Sequence, residues 1–100
     1  MTIIKNENND VIEVFLSGRL DKLSAPELDV SMQGEIAKKK DIIFNFKDLN
    51  YISSAGLRVL LATEKAAEAN GKKTKIINVS TDVMDIFNVT GFVYMLDIQR

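Results

Sequence analysis

Cysteine, histidine and tryptophan are absent from this 100-residue chain, and proline occurs once. Without cysteine there is no disulfide, no thiolate nucleophile and no thiolate metal site; without histidine there is no imidazole ligand and no Ser-His-Asp triad. Charge of one sign is also lacking. Thirteen Lys and Arg against fourteen Asp and Glu leave a net charge of −1, so the basic excess that drives nonspecific binding to nucleic acid or acidic membranes is missing. No apolar run approaches the roughly 18–20 residues of a membrane-spanning helix. The first residues, Met1-Thr2-Ile3-Ile4-Lys5-Asn6-Glu7, do not have the pattern of a signal peptide. A cytoplasmic protein follows as the expectation, with no membrane and no direct nucleic-acid partner. Carboxylates alone remain for a hard cation, but EF-hand spacing is not found, nor is a glycine-rich phosphate loop. We therefore expect no metal and no cofactor.

The composition, 46% apolar and 27% charged, is that of one globular domain, expected to span residues 1–100. Residues 2–5 are β-prone, and the polar run Asn6-Glu7-Asn8-Asn9-Asp10 is a turn. Residues 11–17 alternate, with Ile12, Val14 and Leu16 on one face, which predicts a hairpin. Residues 18–23 read as a loop. Ser24 then serves as a helix N-cap, with Glu27 closing a capping box and Pro26 in the first turn. Leu28, Met32 and Ile36 give that helix its buried stripe to about Lys39, and Lys38-Lys39-Lys40 read as its solvated C-terminus.

A strand over 41–46 follows, with Ile42, Phe44 and Phe46 on one face; Ile43 on the other suggests partial cover on both. A long helix is predicted from Ser54 to Asn70, closed by Gly71. A strand over 75–79, a short helix over 83–88 capped by Ser80-Thr81-Asp82, and a strand-like segment over 92–98 complete the chain. The order β-β-α-β-α-β-α-β defines an α/β domain with a mixed sheet and parallel strands across each β-α-β unit. The modest apolar excess makes a free monomer the default.

The most telling stretch is Asp48-Leu49-Asn50-Tyr51-Ile52-Ser53-Ser54-Ala55-Gly56-Leu57-Arg58. It puts two hydroxyls where a strand-to-helix loop becomes a helix N-terminus. Unpaired amides and the positive dipole end there suit a serine cap, and they suit a phosphate. Both roles remain open on spacing alone. A phosphate would add about −1.5 to −2 charges at neutral pH. On an ideal wheel, Val59, Leu60, Thr63, Ala66, Ala67 and Asn70 form the core face, while Leu61 falls within a charged arc and Leu57 at its edge. Leu57 and Leu61 are thus read as an exposed apolar patch beside the serines, fit for a protein partner. Asp48 is read as shaping the turn, and Asp82 and Asp85 as a helix start. No catalytic residue is assigned, and we expect no enzyme.

These residues carry a resemblance. Ser17-Gly18-Arg19-Leu20-Asp21, the stretch from Asp48 to Leu57, and Ile86-Phe87-Asn88-Val89-Thr90-Gly91-Phe92 resemble, in order, three segments of STAS domains, in particular the single-domain bacterial anti-sigma-factor antagonists. The resemblance implies an antagonist that binds an anti-sigma factor acting as a serine kinase. It further implies that phosphorylation of a serine at the start of the second helix ends binding, and that a metal-dependent Ser/Thr phosphatase restores it; ATP and metals belong to those partners. Anchoring the family's Asp-Ser-Ser-Gly-Leu motif on Gly56-Leu57 implies Ser54 as acceptor. Ser53 then stands where the family has aspartate, and is a rival hydroxyl. The implied contact surface comprises Asp21, Ser53, Ser54, Gly56, Leu57, Arg58 and Leu61. Two other roles of the family are alternatives: an unmodified STAS subunit of a signalling or transport assembly, and a small-ligand or nucleotide-binding module.

Overall fold

A computed structural model describes residues 1–99; Arg100, the last residue of the expected domain, lies outside the described residues. The elements are β1 (Thr2–Glu7), β2 (Val11–Leu20), α1 (Ala25–Ile36), β3 (Asp41–Ile52), α2 (Ser54–Ala69), β4 (Thr74–Ile77), α3 (Thr81–Thr90), a 3-10 turn (Phe92–Tyr94) and β5 (Asp97–Ile98). Their order is the expected one. The strands form one mixed sheet in sequential order, with β1 antiparallel to β2 and the remaining neighbours parallel. The β1–β2 turn closes on Asn8, whose Oδ1 accepts from the amides of Asp10 and Val11 at 2.8 Å each, an Asx turn of the kind asparagine favours.

One face of the sheet carries the core. Ile12, Val14, Leu16 and Leu20 of β2, Ile42, Phe44 and Phe46 of β3, and Ile76 of β4 are all within 1% of full burial. They share a single cluster with Leu28 and Met32 of α1, Leu57 and Leu60 of α2, and Val83 and Phe87 of α3. Phe87 stacks on Phe46 with ring centroids 6.4 Å apart. All three helices therefore cover the same face. The expected cover on the Ile43 face is not supplied by any helix: Ile43 is half-buried between its neighbours and stands outside the cluster.

Several boundaries depart from expectation: α1 ends at Ile36 rather than near Lys39, β4 spans Thr74–Ile77 rather than 75–79, and α3 spans Thr81–Thr90 rather than 83–88. Strand β2 runs on through the predicted loop to Leu20, and β3 continues six residues past Phe46. The two hold each other through shifted register between Phe15 and Ser17 and again between Gly18 and Arg19. Gly18, at φ +91, adopts the backbone that such a bulge requires and that glycine accepts without strain. The segment 92–98 is mostly a 3-10 turn, and only Asp97–Ile98 pairs as strand. At the start of α3, Ser80 Oγ accepts from the Val83 amide at 3.2 Å as a true N-cap.

Lys38 and Lys40 are not merely solvated. Lys38 Nζ lies 2.9 Å from Glu7 Oε1 and 3.2 Å from Glu35 Oε2; Lys40 reaches Glu7 Oε2 at 3.0 Å and Lys5 reaches Glu35 at 2.9 Å. These pairs tie the end of α1 to strand β1. Burial pushes the Glu35 carboxyl up, but the Lys5 and Lys38 hydrogen bonds outweigh it and hold it below its usual value. Hydrogen bonds from Lys38 and Lys40 draw Glu7 from 4.5 down to about 2. A carboxyl whose folded pKa is depressed contributes stability above its unfolded pKa and loses it as pH falls through the folded one. The Glu7 contribution is therefore present above about pH 4.5 and fades towards about pH 2. Glu7→Gln is expected to flatten the acid limb of the melting temperature across that window and leave the slope near pH 7 unchanged. An unaltered acid limb in thermal melts would show that these pairs contribute nothing.

Candidate functional site

Because β3 runs to Ile52 and α2 begins at Ser54, the anticipated loop shrinks to one residue, Ser53. Asp48 accordingly lies in the strand, opposite Ser17, rather than in a turn. The Ser53 amide donates to the Leu20 carbonyl at 2.9 Å, and the Ser53 carbonyl accepts the first helical hydrogen bond, from the Leu57 amide, at 3.0 Å. The amides of Ser54, Ala55 and Gly56 precede that bond and belong to the unpaired first turn. Gly56 is buried against the end of β2: a Cβ there would sit 2.6 Å from Leu20 Cγ and 3.1 Å from Ile52 Cγ1. Only a glycine lets α2 start this close to the sheet.

The two serines have opposite surroundings. Ser54 is exposed on the first turn. Ser53 has the extended backbone of an N-cap, φ −101 and ψ 173, but its side chain caps nothing. Its Oγ is shut off from solvent with no hydrogen-bond partner. An N-cap serine is normally worth about 1 kcal/mol. An enclosed orphan hydroxyl is worth nothing, and its removal relieves a desolvation cost. Ser53→Ala is therefore expected to melt at or slightly above the wild-type temperature. A loss of 1 kcal/mol or more in urea unfolding would show that the hydroxyl caps α2 in solution.

Beside the serines lies the turn after β2. Asp21 Oδ1 accepts from the amides of Leu23 at 3.0 Å and Ser24 at 3.1 Å. The Ser24 hydroxyl donates to the Arg19 carbonyl at 2.8 Å and accepts from the Asp21 amide at 2.9 Å. The predicted capping box is thus not formed: Ser24 makes no side-chain cap to α1, because its hydroxyl is engaged backwards with the turn. The amide of Ser24 holds Asp21 ionised to lower pH than usual, against partial burial and helped by Leu23. The Arg19 guanidinium lies over the Tyr51 ring, 4.2 Å from its centroid, with Nε 3.8 Å from Asp21 Oδ2. Asp21 is thereby fixed one residue beyond Leu20, the residue that contacts both Ser53 and Gly56.

The structure gathers Asp21, Ser53, Ser54 and Arg58 at the end of the sheet, with Ser54 and Arg58 exposed. It withdraws Gly56 and Leu57 from any contact surface. Leu57 is 1% exposed and belongs to the core. The buried stripe of α2 is Gly56, Leu57, Leu60, Thr63 and Ala67, whereas Val59 and Ala66 are only half-buried. The core face is rotated towards Leu57 from the one drawn on the ideal wheel. Leu61 is half-buried and packs on the edge of the core. It also lines a shallow groove with Glu64, Glu68 and Met95, in which burial and the neighbouring Glu68 push the Glu64 carboxyl up.

The expected leucine pair therefore reduces to Leu61, and a different leucine stands out. Leu23 is 88% exposed at the tip of the Asp21 turn. Sequence reasoning missed it, though an apolar residue between Asp21-Lys22 and a cap serine was a usable signal. No helix among the described residues is long and apolar enough to cross a membrane.

A one-sheet α/β domain with a serine hydroxyl presented at a helix start, flanked by a tightly bonded aspartate turn, is the class of protein that these features define. The family model described as the STAS domain matches residues 2–100, and the chain belongs to that family. It is 32% identical over 95 residues to an anti-sigma-B factor antagonist of Bacillus subtilis, covering 95% of this chain and 86% of that protein. In fold it is similar to the anti-sigma factor antagonist SpoIIAA in its unphosphorylated form, with TM-score 0.83 and 21% identity over 97% of this chain and 87% of the other. It is also similar to the Bacillus cell fate determinant SpoIIAA in its phosphorylated form, with TM-score 0.75 and 20% identity over 97% and 90%.

Proposed function

We propose that this chain is a cytoplasmic anti-sigma-factor antagonist: it binds an anti-sigma factor that is a serine kinase, and phosphorylation of Ser54 ends the binding. A metal-dependent Ser/Thr phosphatase resets it. The observation that carries this reading is the contrast between the two hydroxyls, Ser54 exposed on the first turn of α2 and Ser53 Oγ enclosed. A kinase has to reach the oxygen it modifies. The similarity to a B. subtilis anti-sigma-B factor antagonist supports the partner class, and the phosphorylated SpoIIAA relative supports the modification.

Free amides and the helix dipole favour a phosphate on Ser54, so the fold tolerates it. The same charge opposes a partner seated on the Asp21 turn, Ser53, Ser54, Arg58 and Leu61, through desolvation and like-charge repulsion. Leu23 joins that surface as an exposed apolar anchor. The chain itself supplies no catalysis and needs no cofactor in this scheme.

The test is co-elution in size-exclusion chromatography with the host's serine-kinase anti-sigma factor, before and after addition of ATP and Mg²⁺. A complex that forms first and dissociates on ATP addition is the expected result. If no complex forms with any such kinase of the host, the antagonist reading is wrong.

A further inference from the structure

We propose that Arg58 pairs with the phosphate once it is on Ser54, and that it is thereby withdrawn from the partner surface. The inference rests on the reading of Ser54 as the acceptor and adds a second half to the switch. Ser54 and Arg58 are both exposed on α2, four residues apart. Positions i and i+4 of a helix are neighbours on one face, with Cβ atoms about 5–6 Å apart. Helical side chains also lean back over the turn N-terminal to their own Cα. A long side chain at position 58 therefore covers the first turn, where Ser54 sits.

What singles out Arg58 is that nothing on its own helix face answers its charge. The residues three and four positions away are Ser54, Ala55, Leu61 and Ala62, of which only Ser54 has a polar side chain. The other cation of α2, Lys65, has Glu68 three residues on. Arg58 has no ion-pair partner among the described residues. The second arginine at this end of the sheet is already engaged: the Arg19 guanidinium lies 4.2 Å from the Tyr51 ring centroid, with Nε 3.8 Å from Asp21 Oδ2. Arg58 is thus an uncommitted cation beside the one exposed hydroxyl of the first turn.

A neutral serine hydroxyl gives a guanidinium little to hold. Phosphoserine gives it about −1.5 to −2 charges and three strong acceptor oxygens. The planar fork of arginine donates two parallel hydrogen bonds to such a group, while the unpaired amides of the first turn favour the same charge from the helix end. The modification then acts twice on the partner. It adds negative charge at the contact, and it takes up a cation of that same surface, so Arg58 is no longer free to pair with an acidic group of the partner.

Phosphoserine installed at position 54 during translation makes the test independent of any kinase, so it succeeds or fails on the pairing alone, whether or not a kinase of the host modifies Ser54. Phosphorus NMR follows the second ionisation of the phosphate in the otherwise native chain, in Arg58→Gln and in Lys22→Gln, the last of which removes an exposed cation from the neighbouring turn. Glutamine is close to arginine in helix propensity, and circular dichroism checks that each chain is folded. With Arg58 present, the phosphate is expected to hold its last proton about threefold more weakly than in Arg58→Gln, a second pKa about half a pH unit lower. The difference should shrink in about 1 M salt, which screens exposed charges. Lys22→Gln should titrate like the native chain, and the Arg58 Nε–H resonance should move with the phosphate. Equal pKa values with and without Arg58 overturn the inference. So does a lowered value that Lys22→Gln abolishes, or an Arg58 Nε–H resonance that stays fixed throughout the titration.

Discussion

Replacing Ser54 by aspartate is expected to weaken binding to the anti-sigma kinase by about 100-fold, equivalent to some 3 kcal/mol of charge desolvation and repulsion at the contact. The fold should not register the change. A carboxylate in the first turn of a helix is favoured by about 0.3–1 kcal/mol, and Ser54 is exposed with no hydrogen bond to lose. Its melting temperature should therefore match or slightly exceed that of the wild type. Ser54→Ala removes the acceptor and adds no charge, so it should bind like the wild type and persist on the kinase in the presence of ATP. Isothermal titration of both variants separates these outcomes. Undiminished affinity in Ser54→Asp would mean that charge at this position does not control binding.

Leu57→Ala should act on stability. Leu57 is 1% exposed and lies in the same cluster as Leu20, Ile52 and Leu60, so its truncation leaves a cavity under the first turn of α2. Buried Leu→Ala changes cost about 2–5 kcal/mol, a large share of the roughly 5–15 kcal/mol of an ordinary domain. The melting temperature should fall by roughly 10–30 °C. By contrast, Leu23→Ala, at an 88% exposed position, should stay within about 0.5 kcal/mol of the wild type and weaken partner binding. Thermal melts of the pair decide where each leucine acts. If Leu57→Ala melts like the wild type and loses only binding, the residue is on the surface and the packing of α2 described above is wrong.

The sequence carried the element order, the Ser80 cap and the position of the serine pair at a strand-to-helix junction, because each rests on local spacing. It did not carry the length of β3. Lys47-Asp48-Leu49-Asn50 is poor in strand formers and reads as a turn; only pairing with the far-off Gly18-Arg19-Leu20 segment, through two register shifts, keeps it extended. Leu57 was misplaced for a related reason. A helical wheel fixes relative angles but not which arc meets the sheet, and the close approach permitted by Gly56 turns Leu57 inward. The Ser24 capping box failed because Asp21 and Arg19 compete for the same hydroxyl, a contest that a four-residue motif does not reveal. The contrast between an enclosed Ser53 and an open Ser54 depends on side-chain burial, which neighbouring positions in a sequence cannot distinguish.

The central claim is that Ser54 is the switch. Its most direct test is phosphosite mapping by mass spectrometry on the chain isolated from its native cells, with phosphatase-treated material as the reference. The account predicts one phosphate on Ser54, removed by the phosphatase, and none on Ser53. A phosphate on Ser53, or no phosphate under any growth condition, contradicts it.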